Sequence, residues 1–146
     1  MRIVGCPPTP LLYLISMDKL IVIEMPYIGG VLSLNSCWIR GKGGVRTNSY
    51  HPIVKVWMSV LAQKAEPFKG QLKPLVFIQI SAVFPDERYP DLDNLYKVVN
   101  DSLKEGLGVD DKYFRNVSGK ISIDETVEPK LIFTIWDESL PKELIP

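Results

Sequence analysis

Residues 75–84 read LVFIQISAVF, ten positions of which only Gln79 and Ser81 are polar. An almost unbroken apolar run rich in β-branched and aromatic residues describes a strand in the interior of a sheet. Any fold for this chain has to be arranged around that strand. Directly after it the chain turns acidic, with Asp91, Asp93, Asp101, Asp110 and Asp111 falling within one short stretch.

The flanking elements follow from pattern. Lys19 to Met25 (KLIVIEM) is short, β-branched and bounded by Asp18 and Pro26, so it is expected as the first strand. Residues 26–50 carry Gly29-Gly30, Asn35, Gly41, Gly43-Gly44 and Asn48, which predicts a long loop region with a short hairpin around Val31–Ile39. Long ordered loops in compact domains are usually functional. Pro52 to Ala65 sets Ile53, Val54, Trp57, Met58 and Leu61 at helical spacing, with Pro52 in the first turn and Pro67 and Gly70 past the end. Trp57 and Met58 read as core, and His51, the one histidine, as a structural helix entry. Asn116–Ile123 and Lys130–Trp136 read as two strands joined through Asp124–Pro129 as a hairpin, and the tail from Asp137 is expected to fray.

The order β-loop-α-β-α-β-β predicts an α+β fold, a mixed β-sheet with helices packed on it, as a single domain over residues 17–146. A chain of 146 residues, 46% hydrophobic, can bury one real core. Residues 1–16 place Pro7, Pro8 and Pro10 ahead of Leu11–Ile15, too short and broken a run to span a bilayer and a poor signal peptide. They are expected to be a non-essential N-terminal extension.

The formal net charge is zero, which argues against a protein that coats DNA nonspecifically, but the charges are unevenly spread. Residues 1–85 carry nine Lys and Arg against three Asp and Glu, and residues 86–146 carry eight against fourteen. A basic half beside a carboxylate-rich half suits a polyanion bound around an acidic metal site, although solvated faces clustered by chance give the same totals. Cys6 and Cys37, far apart and without nearby histidines, exclude a Cys/His zinc site of the usual spacing and do not suggest a disulfide framework. A reducing cytoplasm is the expected compartment.

The acidic segment carries the chemistry. A helix is expected from Asn94 to Glu105, closed by Gly106, with Asp93 as its N-cap and Asp91 just outside. On a helical wheel Asp93, Lys97, Asn100, Asp101 and Lys104 fall within about a quarter turn, opposite Leu95, Val98, Val99, Ser102 and Leu103. One face is thus apolar and the other a polar strip. Each aspartate has an ordinary explanation as a cap, a turn residue or a partner for a lysine one turn away. Those explanations do not account for Asp91 beside Asp93, or for Asp110-Asp111 returning after Gly106-Leu107-Gly108. Crowded carboxylates are most simply offset by a divalent cation with oxygen ligands, and Lys97 on the same face suggests that the cation shares its site with a phosphate.

A calcium-binding EF-hand loop is excluded, because Leu95 and Tyr96 stand where an acid and a glycine are needed. A glycosidase pair of carboxylates would leave Lys97 and the basic first half without a role. Phosphodiester hydrolysis fits best: a cation held by carboxylates activates water and neutralises phosphate charge, and a lysine stabilises the developing negative charge.

The run PDLDNLYKVVNDSL, followed after a short Gly-containing turn by VDD, resembles the signature of the RusA-like Holliday-junction resolvases. Seven positions correspond: Asp91, Asp93, Asn94, Lys97, Asp101, Asp110 and Asp111. The resemblance implies a small, often phage-borne, homodimeric endodeoxyribonuclease that cuts four-way DNA junctions with Mg2+, or with Mn2+ in its place. It implies metal ligation by Asp91, Asp93 and Asp111 and a catalytic role for Lys97. Asp101 and Asp110 are secondary candidates, the former equally able to orient Lys97, and Asn94 is expected to support the helix start. Arg40, Lys42, Arg46 and Arg88 are the expected contacts to the DNA backbone. The implied setting is bacterial or phage DNA recombination and repair, cytoplasmic and nucleoid-associated when bound. Tyr96 and residues 1–16 stand outside the pattern, and Asp86-Glu87-Arg88 is less basic than a DNA-binding relative would suggest. Two other readings stay open: a relative that binds branched DNA without cutting it, and a protein-interaction domain whose carboxylates are caps and turns.

Overall fold

The computed structural model describes residues 20–146, so the extension expected over residues 1–16, with Cys6, lies outside the described residues. In chain order the elements are β1 (Ile21–Pro26), β2 (Trp38–Arg40), β3 (Arg46–Tyr50), α1 (Pro52–Ala65), β4 (Val76–Phe84), α2 (Tyr96–Leu107), β5 (Phe114–Ile123) and β6 (Lys130–Asp137), with 3-10 turns in several connections. The fold is α+β, and the mixed main sheet has the order β1-β6-β4-β5. As its composition requires, β4 is interior, antiparallel to β6 on one edge and parallel to β5 on the other.

The last two strands do not form the expected hairpin. The helical crossover α2 returns the chain to the start of β4, so β5 must run parallel to it. Sequence character then sorts the edges. In β6, Leu131, Phe133 and Ile135 are fully buried, which calls for neighbours on both sides, whereas β5 (FRNVSGKISI) alternates polar residues and takes the edge. The connection between them passes the end of β4, where the Asp124 N–H donates to the Phe84 carbonyl (2.9 Å).

Alternating burial along β1, β4 and β6 turns one face of the sheet inward. Ile23, Ile78, Ile80 and Phe133 on that face join Val54, Trp57 and Leu61 of α1 and Val98, Val99 and Leu103 of α2 in one core. The indole N–H of Trp57 donates to the Pro26 carbonyl (2.8 Å), fixing α1 over β1. The two helices touch closely at Gly106, where a Cβ would stand 2.8 Å from that of Ala65 and run into the Ala62 carbonyl. Gly106 is therefore a packing residue inside α2. The left-handed residue that ends the helix is Gly108, at φ 69°, two positions later than the spacing predicted.

Two further expectations need correction. The hairpin pairs Trp38 with Tyr50 and Arg40 with Arg46, later in the chain than Val31–Ile39, because residues 30–32 form a 3-10 turn that buries Leu32. Gly43 and Gly44, both at positive φ, make its tip. The tail does not fray at Asp137, which is 1% exposed. Its carboxylate accepts from the Lys73 N–H (2.9 Å), the Ser139 N–H (2.9 Å) and the Ser139 hydroxyl, and Leu140 is buried beside it.

Candidate active site

The acidic segment opens in a 3-10 turn, Leu92–Leu95, before α2 proper begins. The tighter turn moves the cap back by two residues. Asp91, and not Asp93, is the capping residue, its Oδ1 accepting the Asp93 N–H at 3.0 Å. Leu92 and Leu95 are buried, and this anchors the turn while Asp91 and Asp93 stay exposed on its outer side. Both acids line a cleft of about 250 Å³ with Tyr89, Tyr96, Ser118, Gly119 and Ile121. One wall is a β-bulge in β5, where the β4 pairing shifts between Ile80 and Ala82. Gly119 is required there, since a Cβ would collide with the backbone and side chain of Ile80-Ser81. Tyr89 stacks on Phe84 (5.5 Å between ring centres), and the Tyr96 hydroxyl donates to the Val117 carbonyl (2.9 Å). Burial, with a smaller push from Asp93, raises the Tyr96 hydroxyl to about 12, so it remains a donor.

Lys97 follows Asp93 by one turn on the exposed face. Its Nζ lies 3.1 Å from Asp101 Oδ2 and 3.3 Å from Oδ1. The amides of Asn100 and Asn116 exchange two hydrogen bonds (2.9 and 3.0 Å), tying the middle of α2 to β5. Asn94 acts through its backbone: its carbonyl accepts the Leu34 N–H (2.8 Å) and its N–H donates to the Asp91 carbonyl.

Asp110 and Asp111 sit past the other end of α2. Asp110 caps a 3-10 turn at Asp111–Tyr113 by accepting the Lys112 N–H (3.1 Å), which holds its carboxyl below the usual range. Asp111 faces Lys104 at 3.8 Å. Twelve residues of helix span about 18 Å, so Asp111 is far from Asp91 and Asp93 within one chain. Among the described residues no three His, Cys, Asp or Glu side chains are grouped to hold a metal ion. Of the three expected ligands, Asp91 and Asp93 share one cleft and Asp111 does not join them. Two carboxylates suit Mg2+, which commonly takes one or two from protein and fills its shell with water and substrate phosphate.

A model of the endodeoxyribonuclease RusA family matches residues 40–135, which contain the cleft, both helices and the whole acidic segment. The chain belongs to the RusA family. Among curated proteins none matches it. Among solved structures it is similar to thiamine monophosphate kinase from Aquifex aeolicus, with 18% identity and a TM-score of 0.30 over 95% of this chain. The chain spans 45% of that protein's length.

The RusA match begins at Arg40, in the hairpin that bears three of the four expected DNA contacts. Arg40, Lys42 and Arg46 are all exposed, and Arg40 and Arg46 are direct cross-strand partners. Like charges opposite one another destabilise a ladder, and a bound polyanion would offset the repulsion. Meanwhile Arg40 donates to the Asn35 carbonyl (2.7 Å) and Arg46 lies over the Trp38 ring (4.4 Å). Arg88 is paired with Asp86 (2.8 Å), both solvent-exposed. Among the described residues no helix is long and apolar enough to cross a membrane. Sequence reasoning missed two members of this neighbourhood, the Asn100–Asn116 pair and Tyr50, whose hydroxyl donates to Asp101. Tyr50 and Asp101 are 51 positions apart, and no spacing rule reaches that far.

Proposed function

We propose that this chain is a divalent-metal-dependent endodeoxyribonuclease that resolves four-way DNA junctions by phosphodiester hydrolysis, acting as a homodimer in recombination and repair. The observation that carries this reading is the pair Asp91 and Asp93 converging on one cleft, with Lys97 one turn along the same face. Asp91 Oδ2 and the Asp93 carboxylate would hold Mg2+ or Mn2+. Such an ion acidifies water and neutralises charge on the scissile phosphate. The Lys97 ammonium stabilises negative charge that develops at the phosphate and leaving oxygen. Arg40, Lys42, Arg46 and Arg88 hold the backbone and set its register without reading sequence.

Asp111 enters through the dimer. Among the described residues β5 is an edge strand of ten residues with no partner on its outer side, and α2 runs beside it in the opposite direction, as the Tyr96–Val117, Asn100–Asn116 and Lys104–Asp111 contacts establish. A two-fold axis that pairs β5 with its copy would lay the two α2 helices head to tail. Asp111 of the partner subunit would then approach Asp91 and Asp93, completing two equivalent sites for the two strands of a junction.

The test is cleavage of synthetic four-way junctions against linear duplex, with and without Mg2+. Junction-selective, Mg2+-dependent cutting is expected, and a protein that binds the junction without cutting it under any divalent cation sinks the enzymatic reading. Mixing Asp93→Asn with Asp111→Asn protomers should regenerate one intact site per heterodimer and restore part of the activity. No recovery would exclude a site shared between protomers, and full activity of Asp111→Asn by itself would place Asp111 outside the site.

A further inference from the structure

Asp101 faces two groups at once. Lys97 approaches both of its oxygens, and the Tyr50 hydroxyl donates to Oδ2 from the end of β3. We propose that Tyr50 is a positioning residue for Lys97, acting through Asp101 to fix where the amine stands on the exposed face of α2. This rests on the reading that Lys97 serves phosphodiester cleavage.

The argument is one of constraint. An exposed lysine paired one turn along a helix is weakly held, because its long stem keeps most of its rotamers and water competes for the ion pair. Asp101 could swing with it. The Tyr50 hydroxyl removes that freedom by anchoring the carboxylate from another element. Tyr50 is itself clamped: its ring stacks on Trp38 (4.4 Å, 14° between planes), and Arg46 also lies over the Trp38 ring. The Trp38 indole N–H donates to the Leu34 carbonyl (2.9 Å), and the Leu34 N–H donates to the Asn94 carbonyl. The hairpin is thus tied to the acidic segment at residues 94 and 101, on either side of Lys97. Burial, then the Asp101 contact, raises the Tyr50 hydroxyl far above its ordinary range, so it does not lose the donated proton. Lys97 faces Asp101 on its own helix and Cys37 in the preceding loop, and Tyr50 and Arg46 of the hairpin gather about that same Asp101 and Cys37.

Tyr50→Phe keeps the stack and removes only the hydroxyl. Junction cleavage by this variant should show kcat reduced about tenfold with KM and junction affinity unchanged, the pattern of a misplaced catalytic group. Asp101→Asn should give the same split. Lys97→Ala should be at least as slow, which checks the parent reading in the same assay. A second readout is the Lys97 ε-methylene NMR signal, which should broaden or move in Tyr50→Phe without any substrate present. If wild-type protein does not cut junctions, the parent reading fails, and this signal still decides the positioning claim. Wild-type kcat together with an unmoved Lys97 signal in Tyr50→Phe overturns it. So does a loss confined to melting temperature. Should Tyr50→Phe not fold, Asp101→Asn with both readouts decides in its place.

Discussion

Asp137 and Asp93 are the same residue type in opposite circumstances. Asp137 is buried at the end of β6 and meets backbone N–H groups of Lys73 and Ser139 and the Ser139 hydroxyl. Asp93 is exposed, and among the described residues its carboxylate accepts no hydrogen bond. A buried carboxylate surrounded by donors is committed to the fold. An exposed one, next to a second carboxylate and a lysine, is committed to nothing the chain itself supplies.

Substituting each residue should separate the two roles. Asp93→Asn is expected to lower junction cleavage about 10²-fold or more, as for loss of a group that stabilises charge at the reacting centre, while the melting temperature stays within a degree or so. Asp137→Ala should do the reverse. It strands buried donors at a cost of about 3 kcal/mol in unfolding free energy, with the specific activity of the folded fraction preserved. Denaturant melts and a cleavage assay on both proteins make the comparison. An Asp93→Asn protein that unfolds early, or cuts normally, would remove the distinction.

Asp91 falls between them. It lies in the cleft like Asp93, but its Oδ1 also caps the 3-10 turn that starts the helical segment. Asp91→Ala should therefore lose both activity and about 1 kcal/mol of stability. Asp91→Ser should recover the cap and not the cleavage. Recovery of both would make Asp91 a capping residue alone.

How far the sequence revealed these roles depends on the range of the interaction. α1 begins and ends where Pro52, Pro67 and Gly70 predict, and β4 is interior as its composition requires. The polar strip of α2 is also where the helical wheel puts it, because those signals are local. The capping residue was misassigned because a 3-10 start is indistinguishable from an α-helical one by periodicity. Gly106 read as a stop signal because its real constraint, the close approach of α1, is tertiary. The pairing of β5 and β6 depended on which edge of β4 was free. The separation of Asp111 from Asp91 and Asp93 follows from a helix that must lie flat on the sheet. Motif spacing records that these residues occur together, not that they meet within one chain.

Asp110 gives the finest test of the same contrast, since it is exposed like Asp93 yet has a backbone donor like Asp137. The Lys112 N–H, with smaller help from a hydrogen bond to Asp111 and from the charges of Lys104 and Lys112, holds its carboxyl below the usual range of about 4. A folded-state pKa below the unfolded one means that the unfolded chain binds the proton more readily. The contribution to stability is then fully present above the unfolded value and disappears as pH falls through the folded one. Asp110→Asn should consequently leave stability near neutrality little changed and flatten the acid limb of the stability curve slightly below about pH 4. The asparagine oxygen can still accept the Lys112 N–H, so the turn survives while its pH dependence does not. Parallel denaturant titrations of the two proteins between pH 7 and pH 3 measure this. An acid limb identical to that of the unsubstituted protein would show that the Lys112 contact does not persist in solution.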